Sequence, residues 1–173
     1  MLLGKLKPSC RAESIYGCDF RKAYEKGLRG IILDIDNTLV PHNAPIDERA
    51  GSFIRNLKDI GYRLIIVSNN HEPRAKSFAD AAGVPYLYDA GKPAPGKYYE
   101  ALRVLKLEKE QVLCVGDQLL TDIWGANNAK IRSLLVEPLD KSTDTAWIKA
   151  KRVMEIPIKH LHKTEFFCNI FED

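Results

Sequence analysis

Five short apolar runs recur between residues 31 and 136 of this sequence, and they restrict the folds open to the chain more than any other feature. The runs occupy residues 31–35, 63–67, 86–88, 112–115 and 133–136. Short apolar runs bounded by turn residues are typical of buried strands. Strands that alternate with helices form parallel sheets through right-handed crossovers, with helices on both faces. The sequence therefore predicts an α/β fold with a mostly parallel five-stranded sheet.

The segments between the runs have the period of helices. Helices are predicted over about residues 47–60, 73–82, 96–105 and 119–128. In the first of them, Ala50, Phe53, Ile54 and Leu57 share one face, and Gly61 closes the helix. A further helix is predicted over residues 144–154, where we expect Pro157 to end it because proline lacks the amide proton that a helix needs.

The length of 173 residues corresponds to one domain with a sizeable core. We expect a core over residues 28–137, a basic N-terminal arm over 1–27 and a C-terminal tail with a helix over 138–173. No apolar run approaches the roughly 20 residues that span a bilayer, so no transmembrane segment is expected. The four cysteines form no CxxC pair. They are interpreted as reduced thiols of a cytoplasmic protein.

The positive charge of the chain is concentrated at its N-terminus. Residues 1–30 hold seven basic and three acidic side chains, whereas residues 138–173 hold six of each. The arm is therefore either a solvated surface or a contact for nucleic acid or an anionic membrane. The tail helix, which carries Trp147 between basic residues, either docks on the domain or lies peripherally on a membrane.

Polar residues follow four of the predicted strands. In parallel sheets, functional groups gather beyond the carboxyl ends of the strands. The residues at these ends are Asp34, Asp36, Asn37 and Thr38; Ser68, Asn69 and Asn70; Asp89, Gly91 and Lys92; and Gly116, Asp117, Thr121 and Asp122. We expect their side chains to meet in one crevice.

The residue types in this crevice are those of phosphoryl transfer. Buried carboxylates at Asp34, Asp36 and Asp117 need compensation, which Mg²⁺ provides through its preference for oxygen ligands. The Ser68 hydroxyl and the Lys92 ammonium are groups that bind phosphoryl oxygens. An aspartate can act as the nucleophile and form an aspartyl-phosphate. The four groups, in order and each after its own strand, indicate an enzyme of phosphoryl transfer.

Four segments resemble the motifs of the haloacid dehalogenase (HAD) superfamily of phosphatases. They are Asp34-Ile35-Asp36-Asn37-Thr38-Leu39-Val40 for DxDxT, Val67-Ser68-Asn69-Asn70, Lys92-Pro93, and Gly116-Asp117-Gln118-Leu119-Leu120-Thr121-Asp122 for GDxxxTD. Within the superfamily, the sequences of these motifs are similar to those of the YqeG-type subfamily of class IIIA. The match spans about residues 28–137 and implies a Rossmann-like three-layer α/β/α core.

The resemblance also implies roles for individual residues. Asp34 is the implied nucleophile, and Asp36 is the implied acid that protonates the leaving oxygen and then the base that activates water. Lys92 is implied to stabilise charge on the nucleophile and the transferring group. The implied Mg²⁺ site comprises Asp34, Asp36 through its backbone carbonyl, Asp117 and Asp122, and the implied phosphate-binding residues are Thr38, Ser68, Asn69 and Lys92.

Two other interpretations involve the segment around Lys92. Lys97, rather than Lys92, is the alternative candidate for the lysine of the third motif. The segment from Gly91 to Tyr98 also approaches the P-loop pattern GxxxxGK[ST], but Tyr98 stands where that loop needs a hydroxyl for Mg²⁺. Pro93 and Pro95 further remove two of the amide protons that a phosphate cradle uses.

The spacing of the motifs leaves no room for a cap domain. Only 29 residues separate Thr38 from Ser68, and 23 separate Ser68 from Lys92. The resemblance then implies an open site for a large or surface-bound phosphorylated substrate, with the phospholipid phosphatidylglycerophosphate as one candidate. The alternatives are a phosphotransferase, a non-catalytic binding module on the same fold, and a receiver domain with Asp89 as its phosphorylation site. The sequence leaves the oligomeric state open.

Overall fold

A single parallel sheet forms the centre of the computed structural model, which describes residues 2–161 and 170–171. Its strands are β1 (Cys10–Ala12), β2 (Gly30–Leu33), β3 (Arg63–Val67), β4 (Tyr86–Leu87), β5 (Val112–Gly116) and β6 (Arg132–Val136). They lie in the order β1-β6-β5-β2-β3-β4, and every pairing is parallel. The predicted parallel sheet is confirmed, with six strands rather than five.

Helices connect the strands. They are α1 (Leu2–Lys5), α2 (Phe20–Glu25), α3 (Glu48–Ile60), α4 (Glu72–Ala82), α5 (Gly96–Leu105), α6 (Trp124–Asn128) and α7 (Ala146–Leu161). Helix α3 begins where the Asp47 carboxylate accepts a hydrogen bond from the Ala50 amide, and it ends at Gly61, whose positive φ of 113° suits glycine. The predicted helices at α3, α4 and α5 are confirmed to within one residue.

Apolar side chains cover both faces of the sheet, which produces three layers. Alternate residues of the central strand β2 point to opposite sides: Ile31 and Leu33 join a cluster with α2, α3 and α4, whereas Ile32 joins one with α5 and α6. Strands buried on both faces read as continuous apolar runs, as this chain does. The arrangement confirms the Rossmann-like α/β/α architecture.

The sixth strand, β1, lies within the segment predicted to be a basic arm. Its three residues pair in parallel with Leu134–Val136 of β6 at one edge of the sheet. Ile15, Phe20 and Leu28 of the same segment are buried in the core. A run of three residues that contains Arg11 is too short and too polar to predict a strand, so only the pairing with β6 defines it.

Helix α7 continues through Pro157, so the expectation that this residue ends the helix is wrong. Proline at this position leaves the carbonyl of Val153 without its helical donor. Val153 has a side chain that is 65% exposed, on the side of α7 that faces solvent. Water can satisfy the freed carbonyl there, so the loss of one hydrogen bond does not break the helix.

The cysteines also depart in part from the sequence-based interpretation. Cys18 and Cys114 are free thiols, as predicted, but Cys10 is disulfide-bonded. The expectation of four reduced cysteines is therefore wrong for Cys10. Wide spacing in the sequence carries no information on pairing, because the fold decides which sulfur atoms meet.

No helix within residues 2–161 and 170–171 is both long and apolar enough to cross a bilayer.

Candidate active site

Strands β2 and β5, which are neighbours in the sheet, bring two aspartates together at their carboxyl ends. Asp34 directly follows β2, and its amide donates to the Val115 carbonyl of β5 at 3.0 Å. Asp117 directly follows β5 and is fully buried. Because the two strands end at the same edge of the sheet, their carboxylates share one site, as predicted from the sequence.

A third carboxylate, that of Asp122, reaches the same point from a π-helical turn over Leu119–Ile123. The predicted helix over residues 119–128 is thus a π-helical turn followed by α6. The side chain of Asp122 folds back to accept hydrogen bonds from the Gln118 amide at 3.2 Å and the Thr121 hydroxyl at 3.3 Å. Such π-helical turns recur at functional sites, where they redirect a side chain.

Gly116 makes room for this approach. A Cβ atom at Gly116 would lie 2.3 Å from Cγ of Asp122, far inside van der Waals contact. Only glycine at the end of β5 allows the Asp122 carboxylate to pack against the strand. The glycine of the GDxxxTD pattern is therefore a steric requirement of the third carboxylate.

Lys92 joins two of the three carboxylates. Its Nζ atom lies 2.7 Å from Oδ1 of Asp34 and 2.7 Å from Oδ1 of Asp122, and its side chain is only 4% exposed. The Lys92 amide donates to the side-chain oxygen of Asn69, which fixes the loop after β4 to the loop after β3. The rival, Lys97, instead pairs with Glu100 on α5.

The P-loop interpretation has no counterpart in this geometry. Tyr98 is fully buried in the core, and its hydroxyl lies 3.3 Å from the Asp122 carbonyl. It supports the π-helical turn from beneath and is not available to a nucleotide.

Asp36 lies apart from the three-carboxylate cluster. Its Oδ1 atom accepts from the Asn43 amide at 2.8 Å and from Arg74 at 2.9 Å, and its Oδ2 atom accepts from the Asn70 amide group. Burial raises the pKa of Asp36, but the hydrogen bonds from Asn70, Asn43 and Arg74 outweigh burial and lower the pKa overall. The ionised form of Asp36 is therefore favoured, and the side chain is fixed at the edge of the site.

Burial dominates the electrostatics of the cluster. It raises the pKa of Asp34 well above its usual value, with Lys92 opposing the effect and the charges of Asp122 and Asp117 adding to it. Burial and the charge of Asp122 raise the pKa of Asp117 to about 7, although Arg152 opposes them. For Lys92, burial lowers the pKa, but Asp122 and Asp34 outweigh it and raise the pKa. Burial thus disfavours the ionised forms of Asp34 and Asp117, although Lys92 and Arg152 oppose it.

Arg152 of α7 reaches this cluster from the C-terminal tail, and the sequence analysis missed it as a site residue. Its Nη2 atom lies 2.6 Å from Oδ2 of Asp117, and its guanidinium also pairs with the buried Asp144. Asp144 in turn accepts from the side chain of Asn37 at 2.7 Å. Arg152 follows no strand, so the rule that identified the other site residues could not find it.

The site opens into a cavity of about 230 Å³. Of the residues predicted for the site, Asp34, Asp36, Ser68, Asn69, Lys92 and Asp122 line this cavity. Thr38 does not line it: its side chain is buried, and its hydroxyl oxygen has no hydrogen-bond partner among the described residues. Asp117 lies beneath the cavity rather than on its wall. Helix α7 closes one side with Trp147, Ile148 and Lys151.

The three carboxylates fit a hard divalent cation. Asp34, Asp117 and Asp122 each offer an oxygen, and these oxygens lie within 4.8 Å of one another. Oδ1 of Asp117 is buried with no hydrogen-bond partner among the described residues, which is costly unless a cation compensates it. Carboxylate oxygens are the ligands that Mg²⁺ prefers. The side chain of Asp36 is not part of this cluster.

Comparison with known proteins assigns the chain to a family. The sequence model of the haloacid dehalogenase-like hydrolases matches residues 40–130. The "Probable phosphatase YqeG" of Bacillus subtilis (strain 168) is 37% identical over 131 residues, which are 75% of this chain and 76% of that protein. The chain belongs to the haloacid dehalogenase-like hydrolases, and it is an enzyme of their phosphatase type.

A second relative and a solved structure extend the comparison. "Phosphatidylglycerophosphate phosphatase 1, chloroplastic" of Chlamydomonas reinhardtii is 29% identical over 159 residues, and the match covers 86% of this chain but 59% of that protein. The cobalt-bound deoxy-D-mannose-octulosonate 8-phosphate phosphatase of Haemophilus influenzae superposes with a TM-score of 0.50 at 16% identity, over 88% of this chain and 96% of that one. The match to the Haemophilus influenzae structure shows a shared fold.

Gly116→Ala tests the steric requirement behind the third carboxylate. The new methyl group displaces Asp122 from β5 and from Lys92, so we expect turnover of an aryl phosphate to fall at least about a hundredfold. Gly96→Ala is the control, because a Cβ atom there has no neighbour within 4 Å. Both variants are assayed with p-nitrophenyl phosphate after their thermal unfolding has been measured. Wild-type turnover by Gly116→Ala contradicts the requirement.

Proposed function

We propose that the chain is a Mg²⁺-dependent phosphomonoesterase that acts through an aspartyl-phosphate on Asp34. The observation that carries the proposal is the position of Asp34, which lines the cavity, contacts Lys92 at 2.7 Å and shares a carboxylate cluster with Asp117 and Asp122. A nucleophile that lies beside the Lys92 ammonium and lines an open cavity is suited to in-line attack on phosphorus.

The proposed reaction has two halves. An oxygen of Asp34 forms a bond to phosphorus while the bond from phosphorus to the ester oxygen breaks, and Asp36 in its protonated form gives a proton to that leaving oxygen. Asp36 then takes a proton from water, whose oxygen attacks the aspartyl-phosphate and releases inorganic phosphate and free Asp34. The lowered pKa of Asp36 favours its ionised form, which is the base that the second half needs.

The phosphoryl group is bound by residues from two loops, those after β3 and β4. The residues Ser68, Asn69 and Lys92 line the cavity and supply hydrogen-bond donors to the phosphoryl oxygens. Lys92 also offsets the negative charge of Asp34. Thr38, a buried residue of the loop after β2, supports that loop rather than contacting the substrate. Asp34, Asp117 and Asp122, with the backbone carbonyl of Asp36, are the proposed Mg²⁺ ligands. When bound, Mg²⁺ neutralises negative charge on the phosphoryl group.

The proposed substrate is a phosphorylated lipid head group, with phosphatidylglycerophosphate as the named candidate. Support comes from the Chlamydomonas reinhardtii relative, which carries that lipid in its name, and from the open cavity. A cavity of about 230 Å³ is below the range that drug-sized ligands occupy, so it suits a head group without its acyl chains. The enzyme then works as a cytoplasmic protein bound peripherally to a membrane, with the basic arm as a further contact for anionic surfaces.

Hydrolysis of phosphatidylglycerophosphate in detergent micelles tests this function. We expect phosphate release that requires Mg²⁺ and stops with EDTA, since the carboxylate cluster needs its cation. Asp34→Asn is the control and removes the nucleophile with little change in shape. Release that persists in Asp34→Asn contradicts the aspartyl-phosphate. Turnover of p-nitrophenyl phosphate without turnover of the lipid supports the proposed phosphatase activity and contradicts the proposed lipid substrate.

Lys92→Ala and Lys97→Ala compare the two lysines. Removal of Lys92 leaves Asp34 and the buried Asp122 without their shared cation, and we expect kcat to fall about a hundredfold to a thousandfold. Removal of Lys97 breaks an exposed pair on α5 and should change kcat less than about twofold. Steady-state kinetics on p-nitrophenyl phosphate measure both. The reverse order of effects overturns the assignment of Lys92.

Asp36→Asn separates the two halves of the reaction. An aryl alcohol leaves readily without an acid, whereas the attack of water still needs a base. We therefore expect a stoichiometric burst of p-nitrophenol followed by turnover at least about a hundredfold slower than wild type. Stopped-flow absorbance measures the burst, and mass spectrometry of quenched protein measures the aspartyl-phosphate. Slow turnover without a burst places Asp36 in the first half alone.

A further inference from the structure

Helix α7 turns two polar side chains toward the protein and several large apolar side chains outward. Glu155 is fully buried and accepts from the Leu120 amide at 3.1 Å, and Arg152 reaches Asp117. In contrast, Trp147 is 70% exposed and Met154 is 64% exposed. A helix that docks on a soluble domain normally presents the opposite arrangement.

The outward side chains form a continuous apolar surface. At 100° per residue, the exposed residues of this surface fall within about 120° of the helix circumference. They are Ala146, Trp147, Ala150, Val153, Met154 and Pro157, called the apolar arc below. Lys149 lies at one border of the arc and Lys151 at the other. An apolar face with a tryptophan and flanking lysines is typical of helices that lie in a membrane interface.

The apolar arc is continuous with the mouth of the active-site cavity. Trp147 belongs to the arc and also lines the cavity, together with Lys151. Since the cavity suits a head group alone, the acyl chains of a lipid substrate must stay in the bilayer. The mouth must therefore face the membrane during the reaction, and the arc lies at the position that achieves this.

We propose that α7 docks the enzyme on an anionic lipid bilayer, with the apolar arc in the interface and Lys149 and Lys151 on lipid phosphates. This inference rests on the proposed lipid substrate. Basic residues next to a membrane surface are attracted by anionic lipids. A second copy of the chain fits the arc less well, because a two-fold contact brings the lysines of one copy toward those of the other. The acidic Asp144 and Glu155 are buried and do not oppose the surface.

Binding to vesicles of phosphatidylglycerol and phosphatidylcholine tests the docking. The double variant Val153→Gln/Met154→Gln removes two outward side chains that do not line the cavity, and we expect vesicle affinity to fall about tenfold or more. The matched control is Tyr99→Gln/Val104→Gln, which removes two side chains of 47% and 46% exposure from α5. The control should bind as wild type does, and both variants should hydrolyse p-nitrophenyl phosphate at the wild-type rate. Equal losses of affinity in both variants overturn the proposal.

Trp147 provides a direct probe of insertion. In a Trp124→Phe background it is the remaining tryptophan of the chain, and brominated lipids quench a tryptophan that enters the interface. We expect quenching that Val153→Gln/Met154→Gln weakens. Vesicle binding without quenching places the contact elsewhere and overturns the proposal. A dimer that the same variant dissociates, with no vesicle binding by wild type, assigns the arc to a second copy instead.

The two proposals can fail separately, because these vesicles contain no substrate. Binding with quenching, but without phosphate release from phosphatidylglycerophosphate in micelles, supports the docking and rejects the substrate. Release in micelles without any vesicle binding supports the substrate and overturns the docking.

Discussion

The confinement of three carboxylates, two buried and one partly buried, to the junction of β2 and β5 is the constraint on which the rest of the site depends. Carboxylates taken out of water need compensating partners, so the protein must bring cations to Asp34, Asp117 and Asp122. Lys92 arrives from the loop after β4 and Arg152 arrives from α7. One electrostatic requirement therefore fixes two segments that are distant in the sequence to the same edge of the sheet. Oδ1 of Asp117 has no hydrogen-bond partner among the described residues, so a cation can bind there.

The same requirement accounts for the unusual orientation of α7. Arg152 must point inward to reach Asp117, and Glu155, one turn later, must point inward to accept from Leu120. Residues on the opposite side of a helix then have to face outward, and in this sequence they are apolar. The exposed apolar arc is thus the geometric counterpart of the inward polar contacts. A tail helix that served only to cover the core would have the reverse pattern.

The parts of the structure that local rules govern could be predicted from the sequence. Buried strands read as apolar runs, and the carboxyl-end rule placed Asp34, Asp117 and Lys92 together because it depends only on strand order. The inward contact of Arg152 depends on a long-range approach of the tail, and β1 exists only through its pairing with β6. Neither leaves a periodic signal, so neither could be predicted. The error at Pro157 arose from a propensity that tertiary contacts of α7 override.

Helix α7 also explains how a site without a cap can be bounded on its open side. Within the described segment from residue 39 to residue 67, α3 and β3 occupy the place where a cap could be inserted. Part of the cavity wall comes instead from Trp147 and Ile148 of the tail. A cap encloses a small substrate and thereby selects it, whereas a helix at the rim leaves one direction open. Selection must then come from what the rim contacts, and an apolar rim with lysines suits the lipid-borne phosphate group that we propose as the substrate.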